Sequence, residues 1–317
     1  MAILAPTQEE VIAMHQSHAK FFQERSNAGI DHIVRHEGEH DGPHVAIFGG
    51  IHGNERGGVE ASVEVMRAIE ESRLKIAKGS VSFILGNPEA YLQNMRFLDE
   101  NLNRTFIEGP QRDNIEGNRS REIMHYMWQI RDDLAAVMDL HSVSVGDMQA
   151  VVYNNAKHFP EWLPPIYDFY MRYSRRHIAG MLPDLTSRYD VSGFLIEAGN
   201  HQSNEAVFRS LFHIRELFKE FGIETVGEMP YGQELDEKVI REAPSVHYKT
   251  IAQIDPSKGF RFSRDVETHM KLNAGEVFAH NDDGEIVAPQ DCIIVMPDAN
   301  PNPNDSDAGF LCVEVAA

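Results

Sequence analysis

The sequence predicts an α/β fold with a smaller, β-rich C-terminal domain. In residues 1–222, apolar runs of strand length alternate with longer helical patterns, which is the spacing of a sheet covered by helices. In residues 223–317 the apolar runs become short and alternating, and Gly, Pro, Asn and Asp become frequent. The length of 317 residues also exceeds what one hydrophobic core usually serves. We therefore predict two domains, 1–222 and 223–317.

The first half of the α/β region predicts the beginning of a parallel sheet. Thr7 and Glu10 have the spacing of a capping box, so a helix is expected to start there. The run 44–51 is apolar and unbroken, as in a strand buried on both faces, and it ends in a glycine-rich turn. The predicted elements are a helix over 7–27, strands over 31–35 and 44–51, a helix over 59–72 and a strand over 80–86.

The second half continues this alternation after one long interruption. Residues 88–118 are predicted to be mostly loop, and prolines interrupt the helical pattern of residues 161–179. Gly222 supplies a stop signal after the last helix of the region. The predicted elements are a helix over 119–132, strands over 134–140, 149–154 and 192–199, a broken helix over 161–179 and a helix over 204–222.

Composition and charge exclude several classes of partner. The 49 acidic residues outnumber the 29 basic ones, for a net charge of -20, whereas nucleic acids and anionic membranes require a basic surface. No apolar run approaches the roughly 20 residues that span a bilayer, and the N-terminus lacks the features of a secretory signal. The two cysteines, Cys292 and Cys312, form no disulfide framework. We therefore expect a cytoplasmic protein that binds neither nucleic acid nor membrane.

His-x-x-Glu pairs occur four times, and only one of them has the setting of a metal site. Imidazole nitrogens and carboxylate oxygens are zinc ligands, and residues three apart can converge from one turn. His52 and Glu55 follow a buried strand in a glycine-rich turn that opens a helix, which is where open α/β sheets bind ligands. The other pairs lie in a polar loop, beside a proline and within a regular helix: His36/Glu39, His158/Glu161 and His213/Glu216.

Two further apolar strands end in side chains that suit the same site. His141 follows the apolar run 134–140, so the sheet delivers it to the same edge as His52. Asp139 lies two residues earlier, on the same face of the strand, and is a candidate to orient a ligating histidine. Glu197 lies near the end of the run 192–199, where a carboxylate is costly unless it is paired or functional, and a general base beside a metal fits that position.

Together, four segments resemble the succinylglutamate desuccinylase and aspartoacylase family, a branch of the zinc carboxypeptidase superfamily. The resemblance rests on GGIHGNERGGVEA (49–61), LGNPEAYLQNMRFLDENLNRTF (85–106), VMDLHS (137–142) and FLIEAGN (194–200). In the tail, GEIVAPQDCIIVMP (284–297) looks like the C-terminal β-domain of the family. The resemblance implies a carboxypeptidase-like core with a mixed central sheet flanked by helices.

The resemblance also implies a reaction and the residues for it. It implies hydrolysis of the amide bond of a small, carboxylate-bearing N-acyl amino acid by water activated at one Zn²⁺ per chain. The zinc ligands would be His52, Glu55 and His141, with Glu197 as the general base. Arg96 would act at the scissile carbonyl, and Asn103 and Arg104 would contact the substrate; arginine forks bind carboxylates in this way. Arg188 is a further candidate for substrate binding, and the roles of all eight residues are expectations.

One departure and several alternatives remain open. The family usually has an acidic residue two positions before the Asn-Arg pair, and this sequence has Asn101 there. This departure leaves the zinc site intact but puts a specific substrate in doubt. A zinc carboxypeptidase acting on peptides and a non-catalytic metal- or ligand-binding protein are the rival interpretations. The acyl group, the amino acid and the possibility of a homo-oligomer are also left open.

Overall fold

The fold is organised around one large mixed β-sheet. The computed structural model describes residues 7–110, 112–144, 146–154, 162–174, 176–256, 259–301 and 307–316. Within that part of the chain, the first strands are β1 (Ile33–Glu37), β2 (His40–Gly49), β3 (Leu74–Leu85), β4 (Leu134–Val143), β5 (Gln149–Tyr153), β6 (Phe169–Arg172) and β7 (Ser192–Asn200). They lie in the order β1-β3-β2-β4-β7-β5-β6. Both β1 against β3 and β5 against β7 are antiparallel, so the sheet is mixed, as expected.

Three neighbouring strands in the middle of this sheet are parallel. β2 is parallel to β4, and β4 is parallel to β7. The apolar run of β2 faces two cores, since Val45 and Ile47 pack on one side and Ala46 and Phe48 on the other. This is the burial on both faces predicted for the run 44–51. Because parallel strands point the same way, the residues that end these three strands meet at one edge of the sheet.

Helices cover both faces of the sheet. They are α1 (Gln8–Arg25), α2 (Gly57–Glu70), α3 (Pro88–Leu92), α4 (Ile115–Ile130), α5 (Leu182–Ser187), α6 (Glu205–Glu220) and α7 (Glu234–Val239). α1, α2 and α6 pack on one face, and α4 and α5 pack on the other. The predicted capping box of Thr7 and Glu10 starts α1. α4 starts at Ile115, before the predicted residue 119, because the Asn114 side chain accepts a hydrogen bond from Gly117 N.

The predicted broken helix over 161–179 is wrong where the structure describes it. Residues 169–172 form β6, which is parallel to β5. Phe169 and Met171 face one core and Tyr170 faces another, so this segment has the two-residue period of a strand. Residues 161 and 175 lie outside the described residues. In its described residues, the predicted loop 88–118 contains α3, the 3-10 turn Leu102–Arg104 and the start of α4. The first two elements are too short to give a periodic signal.

The C-terminal region is β-rich, as predicted, and it adds strands to the large sheet. Its strands are β8 (Glu224–Gly227), β9 (Val246–Gln253), β10 (Arg261–Phe262), β11 (Met270–Leu272), β12 (Val277–Asn281), β13 (Gly284–Val287), β14 (Cys292–Val295) and β15 (Phe310–Glu314). The sheet continues from β6 in the order β9-β15-β14-β11, β8 pairs with β3, and β10-β12-β13 form a small second sheet. The division at residues 222/223 stays a prediction.

The sequence also led us to expect no disulfide framework and no membrane-spanning segment. Cys292 and Cys312 are buried, free thiols. Among the described residues, no helix combines the length and the apolar character that crossing a membrane would take.

Candidate metal centre

Three side chains from the ends of two parallel strands form a possible metal site. His52 and Glu55 lie in the turn between β2 and α2, and His141 lies near the end of β4. Their candidate ligand atoms all lie within 4.8 Å of one another, and all three residues are buried. The imidazole rings of His52 and His141 are edge-on, with centroids 4.7 Å apart. The structure therefore brings together the three predicted ligands.

Glu55 lies between the two histidines and faces both with its carboxylate. Its Oε1 is 2.8 Å from His52 Nδ1, and its Oε2 is 3.1 Å from His141 Nδ1. Ser142 N also donates to Oε2, over 2.9 Å, which fixes the carboxylate against the end of β4. Burial works to raise the pKa of Glu55, but the charges of the two histidines outweigh it and hold that pKa well below its usual range.

The two histidines use their second ring nitrogens differently. His141 Nε2 is 2.8 Å from Asp139 Oδ2, as the position of Asp139 predicted. His52 Nε2 is 3.1 Å from Asn101 Oδ1. Burial lowers the pKa of His52, and Arg96 lowers it further. Burial also works against a charged His141, but Asp139 and Glu55 more than compensate and raise its pKa well above the usual value.

The donor set fits a divalent metal such as zinc. Both ring nitrogens of His141 face carboxylate oxygens. If Nε2 donates its hydrogen to Asp139, the lone pair of a neutral ring is on Nδ1, which faces Glu55. Two imidazole nitrogens and one carboxylate lie close enough together to bind one cation. Two histidines with one glutamate are the ligands of several catalytic zinc sites. Both histidines also have an oxygen partner on the other nitrogen, which is typical of metal-bound imidazoles.

Glu197 lies next to this cluster, on β7. In the register of β4 and β7, Glu197 is opposite His141. Its side chain is buried, and its Oε2 makes no hydrogen bond with any described residue. Burial raises the pKa of Glu197 to about 7, with His141 opposing this shift and Glu55 adding to it. A carboxyl with a pKa in this range can both accept and return a proton near neutral pH.

Arg96 is the cation nearest to the proposed ligands among the contacts of the described residues. Its Nη1 is 3.1 Å from His52 Nδ1 and 3.6 Å from Glu55 Oε1, and its side chain is partly exposed. The segment that carries it is held tightly, because Gly53 N donates to Arg96 O. A Cβ at Gly53 would lie 2.2 Å from Ala90 C, so only glycine allows this approach.

Glu116, a residue that the sequence patterns did not single out, holds the loop before Asn101. Its fully buried carboxylate accepts hydrogen bonds from the backbone nitrogens of three consecutive residues and from one side-chain amide. The donors are Leu98 N, Asp99 N, Glu100 N and Asn87 Nδ2. A buried glutamate in the first turn of a helix after a loop is the only signal available in the sequence, and it is a weak one.

Of the predicted substrate residues, Asn103 and Arg104 lie on the loop between α3 and α4, and Arg188 contacts it. All three already form hydrogen bonds or ion pairs with other residues of the chain. The side-chain Oδ1 of Asn103, a buried residue, accepts from Leu182 N. Arg104 Nη1 donates to Asn103 O, and its Nη2 forms an ion pair with Asp307 from the C-terminal region. Arg188 Nη2 donates to Phe106 O, over 2.9 Å, which ties it to the same loop. The roles of Asn103, Arg104 and Arg188 in binding substrate stay predictions.

His201 is a second residue that the sequence analysis missed. It follows β7, its backbone N donates to Val143 O, and its Nδ1 is buried without a hydrogen-bond partner among the described residues. Burial lowers its pKa, the charge of Glu55 opposes this shift, and the charge of Arg96 adds to it. The signal in the sequence was its position four residues after Glu197, at the same strand end.

The other His-x-x-Glu pairs are used differently or lie outside the described residues. His213 is buried in α6, with Nδ1 at Arg209 O and Nε2 at the Tyr167 hydroxyl, so both ring nitrogens are occupied. His36 lies on β1, and Glu39 is paired with Lys75. The pair His158/Glu161 lies outside the described residues.

Comparison with known proteins points to one family. A family model described as the succinylglutamate desuccinylase/aspartoacylase catalytic domain matches residues 41–206. A succinylglutamate desuccinylase of Shewanella amazonensis is 33% identical over 87 residues, which are 26% of this chain and 25% of that protein. An N-acyl-aromatic-L-amino acid amidohydrolase (carboxylate-forming) of Xenopus tropicalis is 31% identical over 106 residues, 32% of this chain and 34% of that protein. The chain thus aligns with about a quarter to a third of the length of these relatives.

The fold is shared over a longer stretch. The solved structure of a succinylglutamate desuccinylase from Vibrio cholerae matches with a TM-score of 0.67 at 20% identity, covering 86% of this chain and 82% of that chain. At this identity the likeness concerns the architecture: a mixed central sheet with helices and a smaller β-rich part.

Proposed function

The chain belongs to the succinylglutamate desuccinylase/aspartoacylase family, and on that premise we propose that it hydrolyses the amide bond of a small N-acyl amino acid. We further propose that one Zn²⁺ per chain, held by His52, Glu55 and His141, is required. The observation that carries the proposal is that both histidines face the carboxylate of Glu55, with one candidate ligand atom from each of the three residues within 4.8 Å of the others. When bound there, zinc would polarise the scissile carbonyl and make water a better nucleophile.

Glu197 is the proposed general base. Its carboxylate accepts a proton from the attacking water as the water oxygen forms a bond to the carbonyl carbon. It then returns the proton to the amide nitrogen as the carbon–nitrogen bond breaks, which gives a carboxylic acid and an amine. The proton of the acid then passes to the amine, so that a carboxylate and an ammonium group leave. Two facts support this role: Glu197 neighbours His141 in the sheet register, and burial raises its pKa to about 7.

Arg96 is the proposed electrostatic partner of the reacting carbonyl. Negative charge develops on the carbonyl oxygen during attack, and a positioned guanidinium beside it lowers the barrier. The contacts of Arg96 with His52 Nδ1 and Glu55 Oε1 support this role, because they locate its charge against the proposed ligand atoms. The partial exposure of the side chain leaves it open toward solvent, from which a substrate would arrive.

We propose that the substrate carries a carboxylate read by Arg104, with Asn103 beside it and Arg188 as a further contact. The ion pair between Arg104 and Asp307 bears on this proposal, since a substrate carboxylate would compete with Asp307 for the same guanidinium. The Oδ1 of Asn103 accepts from Leu182 N, whereas its Nδ2 has no hydrogen bond to a described residue and could donate to a substrate. The acyl group stays open, since the relatives named above act on different N-acyl amino acids.

Zinc analysis together with a substrate screen tests the proposal. Purified protein is expected to contain one zinc per chain, and His52→Ala or His141→Ala to lose it. The screen compares N-succinylglutamate, N-acetylaspartate and N-acylated aromatic amino acids with blocked peptides. Hydrolysis of the small N-acyl acids supports a deacylase, whereas preference for blocked peptides supports a carboxypeptidase.

The controls separate the rival interpretations. His213→Ala removes a buried histidine of another His-x-x-Glu pair and should leave the zinc content unchanged. Full zinc occupancy in His52→Ala would refute the ligand assignment. Zinc binding with no hydrolysis of any substrate in the screen would favour a binding protein. A cytoplasmic location also stays a proposal, which rests on the presence of only two cysteines. The absence of nucleic-acid and membrane partners stays a proposal as well, and it rests on the acidic composition.

A further inference from the structure

The two proposed zinc-binding histidines have different groups behind them. His141 Nε2 contacts a carboxylate, Asp139 Oδ2, over 2.8 Å. His52 Nε2 contacts an amide, Asn101 Oδ1, over 3.1 Å. Both partners are buried, so neither contact is weakened by solvent. The site is therefore asymmetric in charge, with a full negative charge behind one ring and a neutral dipole behind the other.

The orientation of the Asn101 amide follows from a second contact. Asn103 N donates to Asn101 Oδ1 over 3.0 Å, as the first capping bond of the 3-10 turn. A backbone N–H can only donate, so the side-chain atom that it meets must be the oxygen. The same oxygen faces His52 Nε2, which must then be the protonated nitrogen of the ring. In a neutral ring this leaves the lone pair on Nδ1, the atom that faces Glu55.

We propose that Asn101 is the positioning residue for His52, a neutral hydrogen-bond acceptor that presents Nδ1 of His52 to the metal. This inference rests on the proposed function, because it assumes that His52 binds zinc. It gives a role to the one position at which the sequence departs from the usual acidic residue. Asn101 keeps the acceptor that a carboxylate would supply, and it leaves out the negative charge.

The missing charge has a physical consequence at the metal. A carboxylate behind a ligating imidazole makes that imidazole a stronger donor and adds attraction for the cation, whereas an amide does so less. With Asn101 behind one histidine and Asp139 behind the other, we expect weaker zinc binding than two carboxylates would give. The zinc should in turn retain more of its positive charge for the scissile carbonyl.

Three variants separate this role from the helix-capping role of Asn101. Asn101→Leu keeps the volume and removes the acceptor. Asn101→Asp keeps the acceptor and the cap and adds the charge. Asn114→Leu is the matched control, because the side chain of Asn114 also caps a helix, by accepting from Gly117 N, while its other contact is to Glu100. Each variant is measured for its zinc dissociation constant by chelator competition, for its visible spectrum with Co²⁺, and for its melting temperature without metal.

The expected order of zinc affinity is Asn101→Asp, then the natural protein, then Asn101→Leu. Loss of an outer partner typically weakens metal binding by about 10–100-fold, so Asn101→Leu should lose that much, and Asn101→Asp should gain up to about tenfold. The Co²⁺ spectrum of Asn101→Leu should also change, since the ring of His52 is no longer held. Asn114→Leu should melt at a lower temperature with unchanged zinc affinity.

Failure of this inference looks different from failure of the proposed function. If the natural protein binds zinc and Asn101→Leu binds it equally well with the same Co²⁺ spectrum, Asn101 is only a helix cap and this inference is wrong. If Asn101→Asp binds zinc no more tightly than the natural protein, the charge argument is wrong. If the natural protein binds no zinc, both the proposed function and this inference are overturned.

Discussion

The candidate site has two halves that are held in place by different means. One half consists of His141 and Glu197, which lie on adjacent parallel strands and face each other in the sheet register. The other half consists of Arg96, Asn101 and Arg104, which lie on the irregular segment between α3 and α4. Backbone hydrogen bonds of the sheet fix the first half. Side-chain contacts and single backbone hydrogen bonds, such as Gly53 N to Arg96 O, fix the second.

This difference separates the chemistry from the choice of substrate. The strand half holds the proposed base and one metal ligand, and moving either would disturb a parallel sheet with buried neighbours on both faces. The loop half supplies charge and hydrogen bonds to the reacting group and the substrate, and it can change without rebuilding the core. If the two halves are independent, changes in the strand half should affect the chemical step or the metal, and changes in the loop half should affect the position of the loop or the choice of substrate.

The largest effect is expected in the strand half, from Glu197→Gln. A general base typically contributes about 10²–10⁴-fold, so kcat should fall by that factor while zinc content stays at one per chain. The glutamine has nearly the same volume, so the melting temperature should change little. Kinetics on the best substrate and metal analysis check this, and near-normal kcat would remove Glu197 from the mechanism.

The largest effect on the loop half is expected from Glu116 of α4, whose hydrogen bonds hold the loop. Glu116→Gln replaces one carboxylate oxygen by an NH₂ group that faces backbone N–H donors, so the loop from Leu98 to Glu100 should shift. A displacement of about 1 Å can cost roughly 10²-fold in rate, and we expect a fall of that order in kcat/KM.

A control on the same helix distinguishes this loop effect from general damage. Glu122 is about half exposed and pairs with Arg119, so Glu122→Gln should leave the rate within about twofold, as most surface changes do. Glu116→Gln should also lower the free energy of unfolding, since each buried donor left unpaired costs about 1–3 kcal/mol. Denaturant unfolding and kinetics of both variants test this. If Glu116→Gln and Glu122→Gln have the same kcat/KM, the loop is held in place by contacts other than those of Glu116.

The same division explains what the sequence could predict. Unbroken apolar runs identify buried parallel strands, and the residues that end such strands must meet, so the convergence of His52, His141 and Glu197 follows from patterns of a few residues. The helix expected over 161–179 failed because β6, Phe169–Arg172, is only four residues long. Periodicity in a short segment does not decide between the two.

The loop half was beyond this kind of reasoning. Its position depends on Glu116 and on the close approach allowed by Gly53, and both are contacts between segments distant in sequence. The family resemblance directed attention to Arg96, Asn103 and Arg104, but no pattern in the chain indicated that Asp307, some 200 residues later, pairs with Arg104. Long-range pairs between single charged side chains leave no periodic signal.

A smaller effect, on metal affinity, is expected from Asp139→Asn. This change gives His141 a neutral partner like the one behind His52, so it tests the charge asymmetry from the strand side. Zinc binding should weaken by about 10–100-fold, as is typical for partners of ligating histidines, while the fold should persist because the volume is kept. Chelator competition measures the affinity. An unchanged zinc dissociation constant would mean that the charge of Asp139 does not contribute to zinc affinity.

The smallest effect is expected from Arg104→Lys, and it should depend on the substrate. A charge-assisted hydrogen bond is worth roughly 1.5–3 kcal/mol, and because a substrate carboxylate must displace Asp307 we expect the lower figure, or about a tenfold loss in kcat/KM. Lysine cannot reproduce the planar fork of arginine, so the loss should fall on a substrate with a free carboxylate and spare its neutral amide analogue.

Asp307→Asn should act in the opposite direction, lowering KM for the acid substrate because it removes the competing carboxylate. The test is to measure kcat/KM of both variants on this matched pair of substrates. Equal losses of kcat/KM on both substrates would mean that the ion pair of Arg104 and Asp307 only connects the loop to the C-terminal region and that Arg104 does not bind the substrate carboxylate.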